Sequence, residues 1–65
     1  TGMNFSEYLM QIRLQRAQRL LRTTDGRIAD IAMRVGYPDQ FYFSRLFKRA
    51  TGMTPSEYRK QGGDI

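Results

Sequence analysis

Residues 27–50 read RIADIAMRVGYPDQFYFSRLFKRA, two short amphipathic runs joined by a tight turn. In the first run Ile28, Ala29, Ile31, Ala32 and Val35 make an apolar face containing small residues. In the second, Phe43, Leu46, Phe47 and Ala50 fall at i, i+3, i+4 and i+7, the spacing of a core-facing helical stripe. A connection as short as Gly36-Tyr37-Pro38 makes the helices cross steeply, so Ala32 suits the contact and Gly36 can take the left-handed backbone of the reversal. This pattern predicts a helix-turn-helix, with one helix over about Arg27 to Val35 and the next over Gln40 to Ala50 behind Asp39 as N-cap.

Outward from this centre, a long helix is expected from Phe5 to Arg22, ending in Thr23-Thr24-Asp25-Gly26, and a short one from Pro55 to Gln61. No stretch alternates like a strand, so the expected fold class is all-α, a small homeodomain-like bundle of about four helices. On the first helix Phe5, Leu9, Ile12 and Leu20 gather on one side with Tyr8 at its edge; Met10, Leu14, Ala17 and Leu21 gather on another. Arg13 lies between the two stripes. Two separate stripes suit a helix that serves two cores, although one wide stripe in a single core is the plainer alternative.

The ends of the chain explain why two cores are preferred. Residues 1–8, TGMNFSEY, and residues 51–58, TGMTPSEY, are identical at six of eight positions, 50 residues apart. Both look like helix starts: Asn4 with Glu7, and Thr54 with Glu57, form capping boxes, and Pro55 occupies the first helical position. Gly2 and Gly52 each resemble the glycine that closes a preceding helix. Shared capping accounts for Ser and Glu but not for Thr-Gly-Met or Tyr, so a supersecondary unit of about 50 residues is read as duplicated. The expected organisation is the end of a first unit plus linker helix over 1–26, a second helix-turn-helix unit over 27–61 and a disordered tail over 62–65, half of a tandem two-unit domain. A start at Thr1 rather than Met fits a piece of a longer chain.

Composition narrows the function. The 65 residues carry 11 Lys+Arg against 6 Asp+Glu, a formal charge of +5, with no Cys or His. A chain of this size buries only about 60% of its unfolded surface, enough for one small core. No apolar run is longer than Phe41-Tyr42-Phe43, too short for a membrane span. Without Cys or His, thiolate and imidazole metal sites and His-assisted nucleophiles are ruled out, and the six carboxylates are scattered. The expectation is therefore no enzyme, no catalytic residue, no metal and no cofactor. A pI near 10.3 points instead to an anionic partner, nucleic acid first.

The outer face of the third helix is the candidate site. Gln40, Phe41, Ser44 and Arg45 present amide, aromatic, hydroxyl and guanidinium groups near the helix start. In a major groove Gln can pair with adenine, Arg with guanine, and Phe can meet a thymine methyl. Lys48 and Arg49 are the candidate phosphate contacts, with Arg27 at the preceding helix start a further one. An ordinary solvated face is the competing reading for Gln40, Ser44 and Arg45, and core packing for Phe41. Arg13, Arg16, Arg19 and Arg22 recur every three residues and spiral round their helix, so they form no single basic stripe; Arg34 is as readily structural. That spiral disfavours a membrane-surface helix.

The string IADIAMRVGYPDQFYFSRLFKRATGMTPSEYRK resembles the signature of the AraC/XylS family of bacterial transcription regulators. The matching residues are Ile31-Ala32, Gly36-Tyr37, Tyr42-Phe43-Ser44-Arg45, Phe47-Lys48, Gly52, Pro55 and Tyr58-Arg59; Tyr8, Arg13-Leu14, Ala17 and Leu20-Leu21 look like the family's linker helix. The resemblance implies a DNA-binding domain with two helix-turn-helix units, whose recognition helices enter successive major-groove segments of double-stranded DNA. Residues 1–3 would close the first unit. Base readout is carried over onto Gln40, Phe41, Ser44 and Arg45. Phe41 departs from the polar residue common there, which implies van der Waals contact. The resemblance further implies a separate sensing or dimerisation domain; a cytoplasmic, nucleoid-associated location is expected, with RNA polymerase a candidate partner. A protein–protein interaction module, using the exposed stripe of the first helix for polymerase contact or dimerisation, is the alternative function.

Overall fold

The computed structural model describes residues 4–62. Four helices follow in order: α1, Phe5–Thr23; α2, Ile28–Arg34; α3, Gln40–Thr51; and α4, Pro55–Gly62, with no strand among the described residues. Residues 1–3, Gly2 among them, and residues 63–65 lie outside them; Gly62, assigned to the tail, is instead the last residue of α4.

Local chemistry sets the helix ends. Asn4 Oδ1 accepts the Glu7 N–H at 2.8 Å while Glu7 Oε1 accepts the Asn4 N–H at 3.2 Å, a closed capping box at the start of α1. The same box starts α4, with Thr54 Oγ1 taking the Glu57 N–H at 3.2 Å and Glu57 Oε1 taking the Thr54 N–H at 2.9 Å. Asp39 Oδ1 accepts from the Phe41 and Tyr42 amides at 2.9 and 3.3 Å and so caps α3. Two glycines have positive φ: Gly52 at 84°, which ends α3, and Gly36 at 102°, in the turn after α2. At α2 the side chain of Arg27 makes no cap, and Val35 closes the C-terminus.

The helices close in a ring of contacts, α1 against α2 and α4, and α3 against the same two. The core is Leu14, Ala17 and Leu21 from α1, Ile31 and Ala32 from α2, Val35 and Tyr37 from the turn, and Phe43 and Phe47 from α3. Ala17, Ala32, Phe43 and Phe47 have no exposed surface; the two alanines admit close helix crossings, and the two rings, 5.7 Å apart, fill the centre. Pro55, the first residue of α4, is also buried.

The two stripes of α1 diverge in part: Leu14, Ala17 and Leu21 are buried, whereas Phe5 is 76% and Tyr8 57% exposed, with Leu9 and Ile12 half-buried. Two expectations need correction. Leu20, assigned to the outer stripe, packs against the core, because α2 lies over that side of α1 and places Val35 beside it. Ala50, assigned to the core stripe of α3, is exposed. It borders an open recess whose opposite wall is Gln11, Gln15 and Gln18 of α1, and its methyl is too short to bridge that gap.

Candidate nucleic-acid interface

Because Phe43 and Phe47 are pinned in the core, the rotation of α3 is fixed, and the residues offset from them by about half a turn must face out. Phe41 is 74% exposed and Arg45 and Lys48 are exposed; Gln40 and Ser44 are half-buried. Phe41, Ser44, Arg45 and Lys48, at i, i+3, i+4 and i+7, share one helix face, while Gln40, seven residues before Phe47, stands at its border in the first turn. Core packing is therefore excluded for Phe41: a large apolar ring stands in solvent at the exposed start of a helix. Tyr42, 48% exposed, flanks it and leans edge-on against Tyr37 with centroids 6.0 Å apart.

Arg49 is also exposed but borders the recess between α1 and α3, so it lies to the side of this face. Arg27 is exposed on a different element, the N-cap of α2. The remaining cations of α1 spread around the helix; Arg16 and Arg19 share a shallow recess with Arg34 on the α2 side.

The electrostatics of the α3 face are one-signed. No acidic residue occurs between Asp39 and Glu57, and Asp39 is engaged at the cap of α3. Glu57 is held below the ordinary carboxylate range by its hydrogen bonds with Thr54, first through the backbone N–H, and by the charge of Lys48. Among the described residues no group of three or more acidic, His or Cys side chains is placed to hold a metal, and no helix is long and apolar enough to cross a membrane.

Sequence reading missed the long-range polar contacts that lock the scaffold. Arg59 donates from Nε to the Leu21 carbonyl at 3.2 Å and from Nη2 to the Thr24 carbonyl at 3.1 Å, satisfying the C-terminal end of α1 from α4. Arg22 Nη1 donates to the Tyr58 hydroxyl at 2.9 Å. Tyr37, read as a turn residue, is only 8% exposed. The quoted Gly-aromatic and Tyr-Arg pairs were the available signal.

A helix-turn-helix domain family model matches residues 1–61. The transcriptional activator RhaR of Yersinia pseudotuberculosis is 54% identical over 61 residues, covering 94% of this chain and 21% of that protein. The chain thus spans about a fifth of the length of that relative. The C-terminal domain of AraT, a response regulator from Geobacillus stearothermophilus, superposes with a TM-score of 0.89 at 45% identity, over 92% of this chain and 50% of that one. A DNA-binding transcriptional dual regulator from Escherichia coli K-12 gives a TM-score of 0.92 at 32% identity, over 97% of this chain and 57% of that one.

Proposed function

The chain belongs to the AraC-type helix-turn-helix family of DNA-binding transcription regulators, and from that premise we propose how it meets DNA. α3 enters the major groove of double-stranded DNA with its outer face toward the base edges. Gln40 and Arg45 supply the hydrogen-bonding groups, Ser44 a short hydroxyl, and Phe41 an apolar contact to a thymine methyl. Lys48 and Arg49, with Arg27 from the start of α2, contact phosphates and set the register. The work is binding, with no bond made or broken.

The observation that carries this reading is the two-sidedness of α3. One side, Phe43 and Phe47, has no exposed surface, while the other holds Phe41 in solvent among uncontested cations. An isolated solvated helix face has no reason to expose a phenylalanine there; a groove-reading face does.

The duplicated helix start and the open stripe of α1 support a further reading at the level of the parent protein. Phe5 and Tyr8 are covered by an upstream helix-turn-helix unit, which adds a second recognition helix. The parent works on the chromosome, hence in the cytoplasm, and carries its sensing or dimerisation domain elsewhere; RNA polymerase is a further partner. Selection of binding sites from a random double-stranded DNA pool, with this chain and with one extended upstream by one repeat, tests both points. The chain alone should enrich a short motif weakly, and the extension should lengthen the motif and raise affinity. Enrichment without any motif, or no gain from the extension, would contradict the reading. Steep loss of affinity with salt marks the DNA mode, whereas salt-insensitive protein association marks the interaction-module alternative.

A further inference from the structure

Arg13 projects from α1 toward the turn between α2 and α3. Its Cζ lies 5.4 Å from the centroid of the Tyr37 ring, inside cation–π range. A Cβ at Gly36 would stand only 3.0 Å from Arg13 Nε and 3.1 Å from Cζ. The guanidinium of Arg13, a half-buried residue, therefore fills the volume that the missing side chain at 36 leaves free. Tyr37 is held on its other sides as well. Its N–H donates to the Ala32 carbonyl at 2.7 Å, and its ring meets Phe43 and Tyr42, each with centroids 6.0 Å apart. A continuous line of contact thus runs from α1 through Arg13 and Tyr37 to the first turn of α3, where Gln40 and Phe41 stand.

The turn needs such a brace. Gly36, with φ of 102° and no Cβ, is the least restrained backbone unit between the two helices, and a small rotation there swings the start of α3. A planar guanidinium laid against Gly36 and over Tyr37 resists that rotation in a way a flexible ammonium cannot.

We infer that Arg13 is a positioning residue for DNA recognition: without touching DNA, it fixes through Gly36 and Tyr37 the angle at which α3 presents its base-reading face. The inference rests on the reading of α3 as the recognition helix, so its test has one arm that needs no DNA. Arg13→Met keeps the aliphatic stem and removes the planar cation, and Arg13→Lys keeps a charge without the plane.

In the free protein, Arg13→Met should leave the helical circular dichroism intact while moving the amide resonances of residues 36–45 more than those of α4. Arg13→Lys should move them by an intermediate amount. Shifts confined to α1 would overturn the inference. In the DNA arm, the ratio of affinities for the selected site and a scrambled site should fall by about tenfold in Arg13→Met, the worth of one or two misaligned base contacts. The salt slope should stay unchanged. A loss of folded population cannot mimic this, because it lowers both affinities alike. An unchanged ratio, or a slope reduced by about one, would overturn the inference, the latter making Arg13 a phosphate contact. If the wild type selects no site at all, the DNA reading fails and the resonance arm alone decides whether Arg13 positions α3.

Discussion

The start of α1 and the start of α4 are the same sequence motif in two different surroundings. Both close a capping box, Asn4 with Glu7 and Thr54 with Glu57. Beyond the caps they part. The tyrosine of the second copy, Tyr58, packs edge-on against Phe47 with centroids 5.4 Å apart and accepts a hydrogen bond from Arg22. Its counterpart Tyr8 is 57% exposed, and Pro55 is buried where Phe5 is 76% exposed. Capping is decided within four residues of sequence, whereas burial is decided by what lies opposite. α4 has α3 beneath it; the start of α1 has no such element among the described residues.

The sharpest way to break this comparison is to remove what lies beneath one copy. Phe47→Ala takes away a ring with no exposed surface and should cost about 3–5 kcal/mol, enough to unfold a chain this small, whereas Phe5→Ala should leave urea melts within about 0.5 kcal/mol. Next in size, Tyr58→Ala should cost about 2 kcal/mol, less than a fully buried ring because Tyr58 is half-buried, while Tyr8→Ala should be nearly neutral. Equal losses at the two tyrosines would mean that the exposed stripe already contributes to this fold.

The caps should behave alike where the tyrosines do not. Asn4→Ala and Thr54→Ala each remove one side-chain acceptor and should each cost about 1 kcal/mol in thermal melts. The smallest effect is a pH dependence. Because the pKa of Glu57 is lowered in the folded chain, its contribution is present above its ordinary value of 4.5 and is lost as pH falls through the lowered one. Glu57→Gln should flatten this part of the acid limb of stability; an unchanged acid limb would show that the Thr54 and Lys48 interactions add nothing measurable.

What was legible in the sequence follows the same division. The helix starts, the Gly36 and Gly52 reversals and the burial of Phe43 and Phe47 rest on residues within about two turns of each other, so periodicity and capping chemistry revealed them. The outer face of α3 was legible for a related reason: once one side of a helix must be buried, the opposite side is determined. Contacts between distant residues were not. Nothing local marks Arg59 as the partner of the Leu21 and Thr24 carbonyls, or Arg13 as the brace over Tyr37. Ala50 shows the converse, with the right periodicity but no neighbour close enough to cover it.

That the exposed face of α3 reads bases while its flanking cations hold phosphates can be put to a single comparison: the affinities of Gln40→Ala and Lys48→Ala for the selected site and its single-base variants, across a salt series. Gln40→Ala should relax preference at one or two positions and cost about 1–3 kcal/mol on the selected site, with the salt slope unchanged. Lys48→Ala should weaken binding to every sequence alike and lower the slope by about one. If both substitutions weaken all sequences uniformly, α3 is not reading the groove through this face.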